Sequence, residues 1–115
     1  FKRQDADLLC EIPVDLVLAA LGGDIDVPSP DGKKLRISIP EGCQNERQFR
    51  LKGKGMPVLQ SRQFGDLFVE IHVEIPKDLN KKQKNLLKEF EKEASKNNNP
   101  ESNDYISKLK KIFKN

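Results

Sequence analysis

His72 is the only histidine in the chain and the side chain best suited to proton transfer near neutral pH. It stands between Glu70 and Glu74 in an alternating stretch, so both carboxylates share its face of a strand. Acid–base catalysis would also need a nucleophile or metal ligands at a matching spacing, and the sequence contains no such arrangement. We therefore predict an exposed strand histidine, no catalytic or metal-binding residues, and a protein that is not an enzyme.

Two cysteines and one glycine-rich segment are the other candidates for chemistry. Cys10 and Cys43 lack neighbouring Cys or His residues at the spacing of zinc sites, and two cysteines are poor evidence for a disulfide framework. We expect reduced, structural thiols and a cytoplasmic setting. Residues 52–55, Lys-Gly-Lys-Gly, lack the spacing of a phosphate-binding loop and do not open a helix. Their glycines are expected to break a β ladder instead.

The basic stretch 47–54 supports an alternative function, an RNA- or ribosome-binding β module. It contains two arginines and two lysines, and Phe49 could stack on a base. Two observations weigh against this reading. Phe49 shares a strand face with Leu51 and is expected in the core, and the net charge of +3 does not require a nucleic acid partner.

Alternation of apolar and polar residues predicts that the chain up to Pro76 forms a β domain. Residues 67–75 place Leu, Val, Ile, Val and Ile on one face and Phe, Glu, His and Glu on the other. Asp15 can cap a short helix at 16–21, which Gly22 ends. We predict a mainly β fold, a small β-sandwich with one short helix, whose strands cover 7–14, 24–27, 35–39, 47–52 and 66–75.

After Pro76 the apolar period changes to that of a helix, and the remaining residues are rich in lysine. Two amphipathic helices are predicted, with Asn80 and Ser102 as N-caps. Helices this short are marginal alone in water, so their apolar stripes need a surface to bury against. The predicted organisation is a β-sandwich peptide-binding domain at 1–77 and a helical tail at 78–115.

Several segments together resemble the second C-terminal domain of DnaJ-type co-chaperones. Leu-Lys-Gly-Lys-Gly-Met-Pro at 51–57 is followed by Gly-Asp-Leu-Phe-Val at 65–69. Ala-Ala-Leu-Gly-Gly at 19–23 and Ile-Pro-Glu-Gly at 39–42 precede them in the family's order, and Asn-Pro-Glu-Ser at 99–102 resembles the tail of bacterial members. Each segment is weak alone, but their order and spacing are specific, and the resemblance covers nearly the whole chain.

This resemblance implies a chain that binds unfolded polypeptide clients, prevents their aggregation and assists a DnaK-type chaperone in protein folding. In the family, an apolar groove between the first two strands takes an extended client segment, and the matching positions here are Cys10, Ile12, Ile25 and Val27. Such a groove works by β-augmentation, in which main-chain hydrogen bonds give affinity and apolar pockets accept side chains. The alternative, which stays open at this point, is that all four residues belong to the core.

The resemblance also implies a homodimer built by the helical tail. Exposed apolar stripes usually mark an interface, and a two-fold pairing lets one patch serve both subunits. The expected dimerisation residues are Leu86, Leu87, Phe90, Tyr105, Leu109, Ile112 and Phe113.

Two parts of longer family members are absent from this sequence, the His-Pro-Asp signature of the J domain and the cysteine-rich zinc module. We therefore expect this chain to bind no cofactor, since zinc would be bound only by the cysteine-rich module. We expect contact with a DnaK-type chaperone to be made only through a J domain outside this chain. Because the chain begins at Phe1, we expect a piece of a longer protein. No apolar run reaches the length of a membrane span, so no membrane partner is expected.

Overall fold

The computed structural model describes residues 1–114, which divide into two compact units after Lys77. The strands are β1 (Lys2–Gln4), β2 (Asp7–Asp15), β3 (Gly23–Pro28), β4 (Lys34–Ile39), β5 (Gln48–Leu51) and β6 (Leu67–Glu74). The helices are α1 (Leu16–Leu21), α2 (Lys81–Glu93) and α3 (Pro100–Ile112). All the strands and α1 lie in the first unit, and α2 and α3 lie in the second.

The first unit contains a four-stranded sheet and a two-stranded sheet. The larger sheet has the order β1-β2-β6-β5, in which β2 and β6 run parallel and the two outer pairs are antiparallel. The smaller sheet is an antiparallel pair of β3 and β4. In the parallel pair, Leu8 faces Leu67 and Ile12 faces Ile71, so the apolar faces of both strands coincide.

The apolar faces of both sheets contribute to one core. Leu67, Val69 and Ile71 of β6 are completely buried, as is Val27 of β3. Removing this apolar surface from water is the main term that holds two such small sheets together. The predicted fold class, a mainly β sandwich with one short helix followed by helices, is confirmed.

The short helix α1 begins and ends where the sequence predicts. The Asp15 carboxylate accepts a hydrogen bond from the Leu18 N–H at 2.8 Å and so satisfies one of the free amides at the helix start. Gly22 ends the helix with φ of +80°, a conformation that side chains with a Cβ rarely adopt. Ala19 is buried and seats the helix on the core.

The first unit differs from the sequence prediction at two places. The three-residue strand β1 was not predicted, because its residues are polar and exposed and carry no alternation. Ile75 was expected on the inner face, but it lies beyond the end of β6 and is 69% exposed. The ladder between β2 and β6 ends at the pair Asp15 and Glu74, so no neighbouring strand covers the next residue.

In the second unit, α2 begins as predicted and α3 does not. The Asn80 side chain accepts from the Gln83 N–H at 2.8 Å, and the Gln83 side chain accepts from the Asn80 N–H at 2.9 Å, which forms a capping box. The predicted cap at Ser102 is wrong, because Ser102 lies inside α3. That helix starts at Pro100, whose fixed φ suits the first helical position and whose missing N–H leaves no amide unsatisfied there.

Candidate functional site

The four residues predicted to bind clients lie on β2 and β3, which belong to different sheets. Cys10 and Val27 are buried, so their side chains point into the core of the first unit. Ile12 and Ile25 are half-buried and pack against that core from its margin. Ile12 and Ile25 are therefore the members of this set that retain surface for a ligand.

The strand β3 has an unoccupied edge. It pairs with β4 along its whole length, from Gly23 opposite Ile39 to Pro28 opposite Lys34. Within residues 1–114 no strand pairs with its other side, because the smaller sheet consists of β3 and β4 alone. An edge strand presents main-chain N–H and C=O groups that an extended peptide can pair with.

Two exposed apolar side chains lie on the helix that leads into β3. Val17 and Leu21, four residues apart on α1, are 62% and 69% exposed. Residues at this spacing share one face of a helix. This helix was predicted only as a structural element. Its periodicity shows that the two residues share a face, but not that the face stays uncovered.

The outer face of the four-stranded sheet carries a cluster of three ionisable side chains, Glu11, Glu70 and His72. The His72 Nε2 lies 2.7 Å from Glu70 Oε2, and the Gln48 amide donates to Glu70 Oε1 at 3.0 Å. The bond to Glu70 raises the pKa of His72, while the bonds from His72 and Gln48 lower the pKa of Glu70. His72 faces away from the core, as predicted. Glu11 was not predicted beside His72, since the two residues are far apart in the chain.

The glycine-rich segment forms a turn in which the amides of both glycines donate hydrogen bonds within the domain. The Gly53 N–H donates to Asp66 Oδ1 at 2.9 Å, and the Gly55 N–H donates to the Gly65 carbonyl at 2.8 Å. Arg50 also bonds Asp66, at 2.6 Å, and these contacts lower the pKa of Asp66. Because both amides already have partners, the segment acts as the predicted break between strands.

Both arginines of the basic stretch 47–54 contact other side chains of the first unit. Arg47 lies over the Phe49 ring, 4.9 Å from its centre, in a cation–π contact. The Phe49 ring itself is half-buried and packs against the core. A ring covered in this way is not presented for stacking on a base, and Arg50 is paired with Asp66.

Both cysteines are buried with free thiols. Burial raises the pKa of the Cys10 thiol, so the reactive thiolate form is disfavoured. These positions fit the predicted reduced, structural role.

The seven residues predicted to form a dimer contact are all exposed in the second unit. Ile106, which belongs to the same apolar stripe predicted for α3, is exposed as well. Over residues 78–114 neither helix buries a residue. No helix in the described part of the chain is both long and apolar enough to cross a membrane.

Comparisons with known proteins match both units of the chain. The family model described as the DnaJ C terminal domain matches residues 1–76, and the model described as the chaperone protein DnaJ C-terminal region matches residues 82–115. Proteins named chaperone protein DnaJ are similar over 113 residues, or 98% of this chain, with 51% identity in Allorhizobium ampelinum and 52% in Agrobacterium fabrum and Rhizobium meliloti. The chain spans 30% of the length of these relatives. The chain therefore belongs to the DnaJ family and corresponds to the C-terminal region of its members.

Proposed function

We propose that this chain is the client-holding end of a DnaJ-type co-chaperone, which binds unfolded polypeptides and assists a DnaK-type chaperone in protein folding. The observation that carries the proposal is the unoccupied edge of β3 beside the half-buried Ile25. Membership of the DnaJ family supports it. Binding of this kind requires no covalent bond to be made or broken, so the chain needs neither catalytic residues nor a cofactor.

The client is proposed to add to the smaller sheet as a third strand beside β3. Its main chain would pair with that strand, and these hydrogen bonds are independent of client sequence. Ile25 and Ile12 would contact the apolar side chains of the client. The buried Cys10 and Val27 would support them from within the core. Because an edge strand accepts many sequences, the site would suit unfolded proteins in general.

Dimerisation through the helical tail is the second part of the proposal. The apolar stripes of α2 and α3 are exposed in the single chain, and pairing two copies would remove them from water. Two copies also place two weak client sites on one particle. A client that spans both sites is then held with avidity, since the second contact forms at a high effective concentration.

The client site is tested with a labelled, permanently unfolded protein and the variant Ile25→Asp. A charge introduced beside an apolar ligand loses its hydration, so the dissociation constant measured by fluorescence anisotropy should rise about tenfold or more. Leu59→Asp is the matched control, because it makes the same change at a loop residue that is 91% exposed. We expect this control to bind the client as the wild-type chain does.

Four results would contradict the assignment. If Ile25→Asp unfolds the domain by circular dichroism, Ile25 is a core residue. If Leu59→Asp weakens binding and Ile25→Asp does not, the contact lies elsewhere. A steep loss of binding with salt, or binding of ATP without binding of the client, would favour a charged ligand over an apolar one.

A further inference from the structure

The cluster on the outer face of the four-stranded sheet is built by strand pairing. Glu11 of β2 lies directly opposite Glu70 of β6 in the parallel ladder, and His72 follows two residues later on the same face. One oxygen of each carboxylate and one ring nitrogen of His72 all lie within 4.8 Å of one another. The backbone of two adjacent strands thus brings together an imidazole and two carboxylates.

We propose that Glu11, Glu70 and His72 form a binding site for a borderline divalent transition ion such as Zn²⁺. An imidazole nitrogen with carboxylate oxygens is a donor set that suits Zn²⁺, Co²⁺, Ni²⁺ and Cu²⁺. Mg²⁺ and Ca²⁺ prefer all-oxygen sets, so the imidazole discriminates against them. Three protein ligands on an open face would leave the remaining coordination position to water.

The surroundings favour a cation. Glu46 adds a further carboxylate whose charge acts on His72, while Lys2 is the cation nearest to Glu11, with 3.5 Å between Lys2 Nζ and Glu11 Oε1. That ion pair is exposed and therefore weak, so a divalent ion can replace it at little cost. Gln48 holds the second oxygen of Glu70 from outside the cluster, as partners of metal ligands commonly do.

The three side chains have room to close around an ion. The side chains of Glu11 and His72 are 42% and 45% exposed, so both can rotate, while Glu70 is 19% exposed and more firmly placed. At present His72 Nε2 and Glu70 Oε2 share a hydrogen bond. An ion would take the place of the proton in that bond, since a ligating imidazole nitrogen must be deprotonated.

The single histidine makes the test specific. In the whole chain near neutral pH, Zn²⁺ is added while the His72 ring protons are followed by NMR, and affinity is measured by competition with a coloured chelator. We expect the ring signals to shift with one equivalent of Zn²⁺ and to stay in place with Mg²⁺. The variants His72→Gln and Glu11→Gln should each weaken Zn²⁺ binding about tenfold or more.

Glu93→Gln is the matched control, because it removes one exposed carboxylate from α2 in the other unit. It should leave the affinity unchanged. Glu11→Gln retains the bond between Glu70 and His72, so it tests the site even if His72→Gln disturbs the fold. The proposal is overturned if one equivalent of Zn²⁺ leaves the His72 signals unmoved, or if both site variants bind Zn²⁺ as tightly as the wild-type chain does.

Discussion

At the scale of single residues, Asp66 is hydrogen-bonded to four other residues of the first unit. Its carboxylate accepts from the Gly53 N–H and from Arg50, which ties the end of β5 to the start of β6. Its own N–H donates to Asp7 Oδ1 at 2.7 Å, and its carbonyl accepts from the Leu8 N–H at 2.9 Å. Asp66 thus links the neighbouring strands β2, β6 and β5 at the same end of the sheet.

These contacts predict how the stability of the domain depends on pH. Since the bonds from the Gly53 N–H and from Arg50 lower the folded pKa of Asp66 below the unfolded value of about 3.9, their contribution is present above that pH. It is lost as the pH falls through the folded pKa. We expect the urea midpoint of the wild-type chain to drop on acidification below about pH 4, and Asp66→Asn to start lower and drop less.

Asp104→Asn serves as the control for this pH series, because Asp104 forms only an exposed pair with Lys108 on α3. It should follow the wild-type curve. An Asp66→Asn curve parallel to that of the wild-type chain would show that Asp66 does not carry this part of the acid sensitivity.

At the scale of elements, two glycines let the loop between β5 and β6 pack against the turn between β1 and β2. The Gly55 N–H bonds the Gly65 carbonyl, and the Gly65 N–H bonds the Met56 carbonyl, both at 2.8 Å. The Met56 N–H in turn bonds the Ala6 carbonyl at 2.8 Å. A Cβ on Gly65 would collide with the backbone of Ala6, which cannot move aside as a flexible side chain would.

We therefore predict that Gly65→Ala lowers the free energy of unfolding of the domain by about 2 kcal/mol or more, as overpacking against backbone does. Chemical denaturation followed by circular dichroism measures it. The comparison variant is Gly42→Asn, at a glycine with φ of +71° and open space around it. Asn tolerates that conformation, so we expect a cost of about 1 kcal/mol or less. Equal costs for the two variants would refute the role given to close packing.

At the scale of the whole molecule, the two units bury their apolar residues very differently. The first unit has a closed core shared by its two sheets. In the second, the apolar residues of α2 and α3 stay exposed, with Ile112 at 70% and Phe113 at 77%. Short helices in which no residue is fully buried are marginal in water, which is the physical reason for expecting a partner surface.

For the helical tail we predict a homodimer that the double substitution Ile112→Glu and Phe113→Glu converts to a monomer. Placing carboxylates in an apolar contact costs their hydration, so the contact should be lost while the β-sheet circular dichroism is unchanged. Light scattering at about 50 μM chain measures the mass, since an association of about 8 kcal/mol is populated there.

The matched control replaces the exposed Ser107 and Lys111 by Glu, which adds the same two acids on the face of α3 opposite the apolar stripe. This control should remain a dimer. A wild-type chain that is monomeric at that concentration would contradict the prediction, and the tail would then serve another surface.

The amino-acid sequence by itself determined the local elements of this protein. Period-two alternation located the strands that build the core, and Asp15 and Asn80 marked the starts of α1 and α2, because alternation and capping depend on neighbouring residues. Ordered motifs also pointed to the DnaJ family, which the comparisons confirm. The client groove and the dimer contact stay predictions.

Only the tertiary structure decided which strands are neighbours and how deeply each inward residue is buried. Alternation assigns Cys10 and Ile12 to one face, but the core covers the first and leaves the second at its margin. The parallel pairing of β2 with β6 brings Glu11 beside Glu70 and His72, although these strands are far apart in the chain. Strand pairing follows from summed contacts over the whole domain, which local spacing does not encode.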